Sequence, residues 1–477
     1  MGSYKRLLSN TAILGAGTFL SKVLVLLLMP FYTSILSAGE YGTADLIAQT
    51  ANLLIPLAAV GICDGIFRFT LDSAADPKKV LSTGVAILTA GSVVLCGVVP
   101  LLRLFDFFDG YVLIIALYVI SANFHSAFAQ YLRAQGRTTL FAVQGLVNTA
   151  LTIGLNLLFL VVFDLGATGY VLSVVVSDAL LAVALFFLAR LYRDISLKQV
   201  DRTTAKEMLK FSIPYIPTTV MWLITSVSDR YIVTAFCGET ENGLYAAAYK
   251  LPTLLSLVSG VFVEAWHFST VKDAAPEERS SFFGTVYVHF MSIMFIGASV
   301  LVAGAKIFTD ILLSDSYYAS WQYVPMLVAA TVFSTLVSFL GSVYFLEKKS
   351  TLSMLTAMAG AAINVILNFV LIPDHGAMGA AVATFLSYLA VFVIRAYDTS
   401  HYLKFRLCIP RVIINTAVLL IQIVIMVGAF RGWKYAQLAL LAFLLIFNGR
   451  GLVATFRRFL GGIFQKKQKK SKKPLEK

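Results

Sequence analysis

The chain has 477 residues, 58% of them hydrophobic and only 13% charged, with a mean hydropathy of +0.82 and a formal net charge of +13. A water-soluble protein carries about twice that charged fraction. Apolar runs of about twenty residues, enough to cross a bilayer's hydrocarbon, recur along the whole length with no polar domain between them. This excludes a soluble globular protein and defines an all-α polytopic membrane protein.

Cutting at charged residues and Pro/Gly punctuation predicts about fourteen transmembrane helices. They lie near 9–34, 41–67, 80–102, 111–132, 139–163, 168–190, 210–236, 243–268, 281–304, 321–345, 351–372, 377–397, 411–429 and 434–455. The opening run "LLSNTAILGAGTFLSKVLVLLLMPFY" is long enough to span, and its lack of a small-residue cleavage site predicts that it stays in place. Arg6 breaks a myristoylation pattern. The last predicted helix runs into "FNGRGLVATFRRF", which also fits a short interfacial helix.

Lysine and arginine fall mainly on the connections of one side: Lys5, Arg6, Lys78, Lys79, Arg133, Arg137, the segment after residue 190, Lys348, Lys349, residues 395–411 and the tail. Acidic residues such as Glu40, Asp164, Glu239, Glu241 and Asp374 collect on the other. The positive-inside rule then places both termini in the cytoplasm, in agreement with an even number of spans. The tail "KKQKKSKKPLEK" is expected to attract anionic lipid head groups, with no nucleic-acid partner. Cys63, Cys96, Cys237 and Cys408 stand singly and read as small hydrophobic filler. His125, His289 and His375 are single and unpatterned, so interhelical hydrogen bonding is their expected role, and no metal site or cofactor is expected.

The sequence is a duplication. "RTTL" at 137–140 matches "KSTL" at 349–352, Thr152 matches Asn364, Asn156 matches Asn368, and "GATG" at 166–169 matches "GAMG" at 376–379. Earlier in each half, "GEYG" at 39–42 pairs with "ETENG" at 239–243. Each half holds six predicted spans, so the repeats are parallel and related by a pseudo-twofold axis along the membrane normal. The expected organisation is a lobe over 1–190, a cytoplasmic linker over 191–209, a second lobe over 210–400, two further helices over 401–457 and a basic tail over 458–477.

Charge at the centre of a membrane helix costs about 2.5–3.5 kcal/mol on insertion scales and usually faces a cavity or a partner. Lys22 lies about thirteen residues into the first span, near the midplane at about 1.5 Å per residue. Asp45, Gln49 and Asn52 share one face of the second span. Asp229 and Arg230 end polar stripes on the seventh, and Lys250 with Thr253 occupies positions on the eighth that match Gln49 and Asn52. The candidate substrate-binding residues are therefore Lys22, Asp45, Gln49, Asn52, Asp229, Arg230 and Lys250, gathered on two equivalent hairpins. The alternatives are a structural Lys22–Asp45 bridge and an interfacial Asp229–Arg230 pair. The Asn and Gly-Ala-x-Gly repeats read as scaffold: asparagines bonding between helices and glycines permitting close approach.

"LSNTAILGAGTFLSKVLVLLLMPFYTSILSAGEYGTADLI" resembles the first hairpin of the polysaccharide-transporter (Wzx-like, O-antigen flippase) branch of the MOP flippase superfamily, and "AINVILNFVLIPDHGAMGAAVAT" resembles that branch's eleventh and twelfth spans. The resemblance implies a non-enzymatic flippase of a bacterial cytoplasmic membrane. It would move an undecaprenyl-diphosphate-linked oligosaccharide by alternating access of two lobes, with H+ or Na+ as a candidate coupling ion. Lys22 or Lys250 would meet the diphosphate, and Asp45, Gln49 and Asn52 the sugar hydroxyls. The branch's cavities are typically more cationic than this balanced set. The alternatives are a cation-coupled multidrug antiporter of the MATE type, using Asp45 or Asp229, and a membrane polysaccharide polymerase or glycosyltransferase. "DFFD" at 106–109 is not a metal-binding Asp-x-Asp.

Overall fold

The helix Ala38–Ala58 begins with a reciprocal cap. Ser37 accepts the Glu40 backbone N–H through its hydroxyl, and the Glu40 carboxylate accepts the Ser37 N–H at 2.9 Å, which satisfies two donors that a helix start leaves without partners. In the computed structural model, the residues described are 24, 26–71, 76–105, 108–213, 215–270, 276–347, 349–428, 430 and 432–449. Every regular element among them is helical.

Eight described helices are long and apolar enough to cross a membrane, or nine when one bent pair counts as a span. That pair, Ala38–Ala58 and Ile62–Thr70, bends by 52° where a continuous second span is predicted. The reason is local. Pro56 lacks a backbone donor, and Val60 and Gly61 take left-handed conformations at φ 50° and 65°. The 50-residue stretch Ser350–Thr399 contains predicted spans 11 and 12, separated at Gly376, whose φ of 56° and ψ of −144° suit glycine alone. Tyr215–Cys237 and Lys250–Thr270 lie where spans 7 and 8 are predicted. Trp433–Gly449 is the described part of the last one.

Residues 191–209 form two short 3-10 turns and the start of an amphipathic helix, Arg202–Ser212, capped by Asp201, whose carboxylate accepts the Thr204 N–H at 2.7 Å. Those hydrogen bonds hold the Asp201 carboxyl below its ordinary range. Met208 on this helix is fully buried and packs with Ile62, Ile66, Leu81 and Leu132.

By internal packing the chain divides into two units: residues 1–247 with 310–320 and 357–384, and residues 248–309 with 321–356 and 385–477. The first unit has a core of small and branched side chains, among them Ala44, Ile47, Ile115 and Val171. The second is aromatic, with Phe290 and Phe283 packed on Phe339 and Phe333 on Phe392. Large apolar side chains such as Val94, Leu104, Leu113 and Leu188 remain more than half exposed, a surface that suits lipid and not water.

Candidate functional site

The starts of the two repeat-equivalent helices, at 38–43 and 239–243, pack backbone to backbone within the first unit. A Cβ on Gly243 would lie 1.7 Å from the Ala38 carbonyl oxygen, and one on Gly42 would lie 2.1 Å from the Glu239 carbonyl oxygen. Only glycine permits this approach from either side. Side chains complete the contact: Asn242 donates to the Gly42 carbonyl at 3.0 Å, and the Thr43 hydroxyl donates to the Glu239 carboxylate at 2.8 Å. The matched motifs "GEYG" and "ETENG" are thus face to face. Sequence reasoning used them only to align the repeats.

Of the charged candidates, Asp45 lies further along Ala38–Ala58, and Asp229 and Arg230 lie on the preceding helix of the second half, Tyr215–Cys237. Arg230 Nε stands 2.8 Å from Asp45 Oδ2, with both side chains under a tenth exposed. Gln49, one turn on, donates to the other Asp45 oxygen at 3.3 Å. Asp229 is fully buried and accepts the Tyr245 hydroxyl at 2.7 Å and the Arg230 backbone N–H at 2.9 Å. Thr50 and Tyr231 share a hydrogen bond of 2.8 Å. Two contacts among the described residues were not among the expected alternatives. Asp45 is partnered by Arg230, and Asp229 faces Tyr245, which sequence reasoning did not single out.

A buried pair of this kind is favourable only when each charge keeps close partners, because the desolvation of both is large. Asp45 and Arg230 therefore neutralise one another while joined and present two opposite charges once parted. Asn52, two turns beyond Asp45, is exposed. Lys250 is half-buried and belongs to the second unit. Lys22 lies outside the described residues.

The scaffold motifs repeat their contacts as well as their letters. Gly166 approaches the Glu40 carboxylate, where a Cβ would meet it at 2.4 Å, and Gly376 approaches the Glu241 carboxylate at 3.7 Å. Gly169 packs on the Phe159 carbonyl and Gly379 on the Leu371 carbonyl. Asn156 donates to Tyr32 at 3.3 Å, and Asn364 accepts from Ser228 at 2.9 Å while Asn368 donates to it at 3.0 Å. In each half an asparagine of the fifth helix ties back to the first helix of its own half, though not at matched positions: Asn156 does so in one, and Asn364, the match of Thr152, in the other, supported by Asn368.

Two buried polar clusters escaped the sequence reading. Arg395, 1% exposed, donates to the Val337 and Ser353 carbonyls and to Thr356. His125, read as a lone interhelical hydrogen-bonder, belongs to a four-residue network with Asp178, Gln144 and Asn148. The signal was a charged residue in the middle of an apolar span, "VVVSDALLAV".

With this arrangement defined, the relatives are informative. The polysaccharide biosynthesis protein family matches residues 7–267, more than half of the sequence, and the chain belongs to that family. No curated protein matches. Among solved structures, the lipid II flippase MurJ in an inward closed conformation aligns with a TM-score of 0.68 at 15% identity, over 94% of this chain and 99% of that one. An inward-facing multidrug resistance MATE family transporter of the MOP superfamily aligns at 0.63 and 15% identity, over 80% and 95%. A MOP superfamily transporter from Pyrococcus furiosus Vc1, with a binding pocket of reverse polarity, aligns at 0.55 and 14%, over 82% and 96%. The fold is that of the MOP superfamily, and the protein is a multi-pass membrane protein.

Proposed function

We propose that the protein is a flippase of the Wzx-like branch, carrying an undecaprenyl-diphosphate-linked oligosaccharide across a bacterial cytoplasmic membrane for surface polysaccharide synthesis. The family match over residues 7–267 carries this reading. The lobes over 1–190 and 210–400 would alternate access to a shared path, with both termini in the cytoplasm and the basic tail on anionic lipids. The joined Asp45–Arg230 pair supports one refinement. When the pair is closed, Arg230 is neutralised, so the cation becomes available to a diphosphate only as the two helices separate. Asp45, released with it, would join Gln49 and Asn52 on sugar hydroxyls, beside Asp229. Lys22 and Lys250 would supply the remaining positive charge, and a proton or sodium ion the driving force.

Depletion of the protein followed by lipid analysis tests the reading. The expected result is a lipid-linked oligosaccharide accumulating on the cytoplasmic leaflet. The likeness to the MATE transporter supports a second reading, a cation-coupled drug antiporter. Unchanged surface glycan together with altered drug sensitivity would establish that one instead.

A further inference from the structure

We propose that His125 and Asp178 form a proton-binding site inside the first unit, and that its occupancy drives the transport cycle; this rests on the flippase reading above for the cycle, not for the site. His125 is thirteen residues into the 23-residue helix Val112–Ala134, and Asp178 twelve residues into the 23-residue helix Gly166–Leu188. At about 1.5 Å per residue both stand at mid-helix depth. Their side chains are 12% and 10% exposed. The helices Thr138–Asn156 and Gly166–Leu188 together contain a single charged side chain, Asp178.

The hydrogen bonds accommodate a doubly protonated ring. His125 Nδ1 is 2.9 Å from Asp178 Oδ1, and Nε2 is 2.5 Å from Gln144 Oε1. An oxygen acceptor on each ring nitrogen requires two N–H donors, which is the imidazolium form. Asp178 Oδ1 also accepts from Asn148 Nδ2 at 3.0 Å. The orientation of Asn148 is fixed in turn, because its Oδ1 accepts the Ser177 hydroxyl. The network is therefore anchored at the carboxylate and adjustable at one point. When the ring loses its Nε2 proton to water, a half-turn of the Gln144 amide presents an N–H to the bare nitrogen. The protonated and neutral states are thus each satisfied with one rotation between them.

Other ionisable groups do not compete for that role. Tyr118, two turns earlier on the same helix, is the phenol in the field of Asp178, and Tyr170 lies on the facing helix. From the remaining helices packed on Val112–Ala134 come Glu40, Tyr41, Asp45, Cys63, Asp64, Arg68, Lys78, Lys79, Cys96 and Arg103. Of these, Glu40 is bound to Ser37, Tyr41 to the Met29 sulfur, Asp45 to Arg230, Cys63 to the Asn123 carbonyl and Lys78 to Asp194, and Asp64, Arg68, Lys79, Cys96 and Arg103 are exposed. A proton suits the site better than sodium, because the imidazole occupies the position next to the carboxylate where a metal would need oxygen ligands.

The test uses the full chain with 15N-labelled histidine in vesicles of phosphatidylethanolamine and phosphatidylglycerol, titrated from about pH 5 to 8, where histidine changes charge. His125→Gln assigns the signal. We expect a His125 resonance that titrates, a midpoint at least one pH unit lower in Asp178→Asn, and a higher midpoint in Gln144→Glu. A signal that stays neutral or charged throughout, or midpoints that ignore both variants, overturns the site. In glycan-producing cells, export by wild type should fall when a protonophore collapses the gradient. Export by Asp178→Asn should be low and indifferent to it. Wild-type gradient dependence in that variant overturns the coupling. If depletion leaves the glycan unchanged, the flippase reading fails while the vesicle titration still decides the site.

Discussion

Replacing Gly243 by alanine tests the backbone contact between the two helix starts. The added methyl would stand 1.7 Å from the Ala38 carbonyl oxygen, whereas ordinary contact begins at 3.4 Å. The chains must therefore part by 3.4 − 1.7, or about 1.7 Å, at a point where both partners are backbone and no side chain can rotate away. Overpacking of this kind typically costs about 1–3 kcal/mol. If the contact exists only in the state described, the cost falls on that state alone, and its population relative to states with the helices apart drops by about 5–150-fold. Double electron–electron resonance between labels on Cys237 and Ser34→Cys, with Cys63, Cys96 and Cys408 removed, would follow the change in nanodiscs. A longer distance should grow in Gly243→Ala and again in Gly42→Ala. The double variant should add little, because both methyls relieve one contact. Wild-type distances together with wild-type thermal stability would refute the reasoning.

Three further outcomes are expected. Arg230→Met should lower stability in detergent by about 3–5 kcal/mol, the cost of leaving a buried charge without its partner, while the double variant with Asp45→Leu recovers much of the loss; thermal unfolding measures both. Asn368→Ala should cost about 0.6–2 kcal/mol, the range of interhelical polar contacts, with export retained. Lys22→Ala and Lys250→Ala should abolish surface glycan export at normal expression, read by immunoblot and glycan staining, and full export from the double variant would remove both from the substrate path.

The fold was legible because a bilayer imposes long apolar runs and a bias in lysine and arginine, and both are written locally in the chain. The polar stripes were legible for a similar reason: Asp45 and Gln49, one turn apart, must share a face. Partner choice was not. Lys22 was the partner expected for Asp45, and it takes the packing of distant helices to bring Arg230 against it. The same holds for His125, whose carboxylate lies two helices away, and for Arg395, whose acceptors are mostly backbone carbonyls that no residue pattern marks. Glycine was informative in a different way. "GEYG" and "ETENG" exposed the duplication in the sequence, and in the structure the two motifs lie against each other.

The break between Ala58 and Ile62 gives the second predicted span two separately packed pieces. In the shorter one Ile62 and Ile66 are wholly buried, and the Arg202–Ser212 helix lies against them through Met208. The longer one carries Gly42, Asp45 and Gln49, buries Ala44, Ile47 and Ala51 in a different cluster, and is joined to the shorter through a proline and two left-handed residues. The two pieces thus answer to two different cores, so a substitution that loosens one cluster leaves the partners of the other in place.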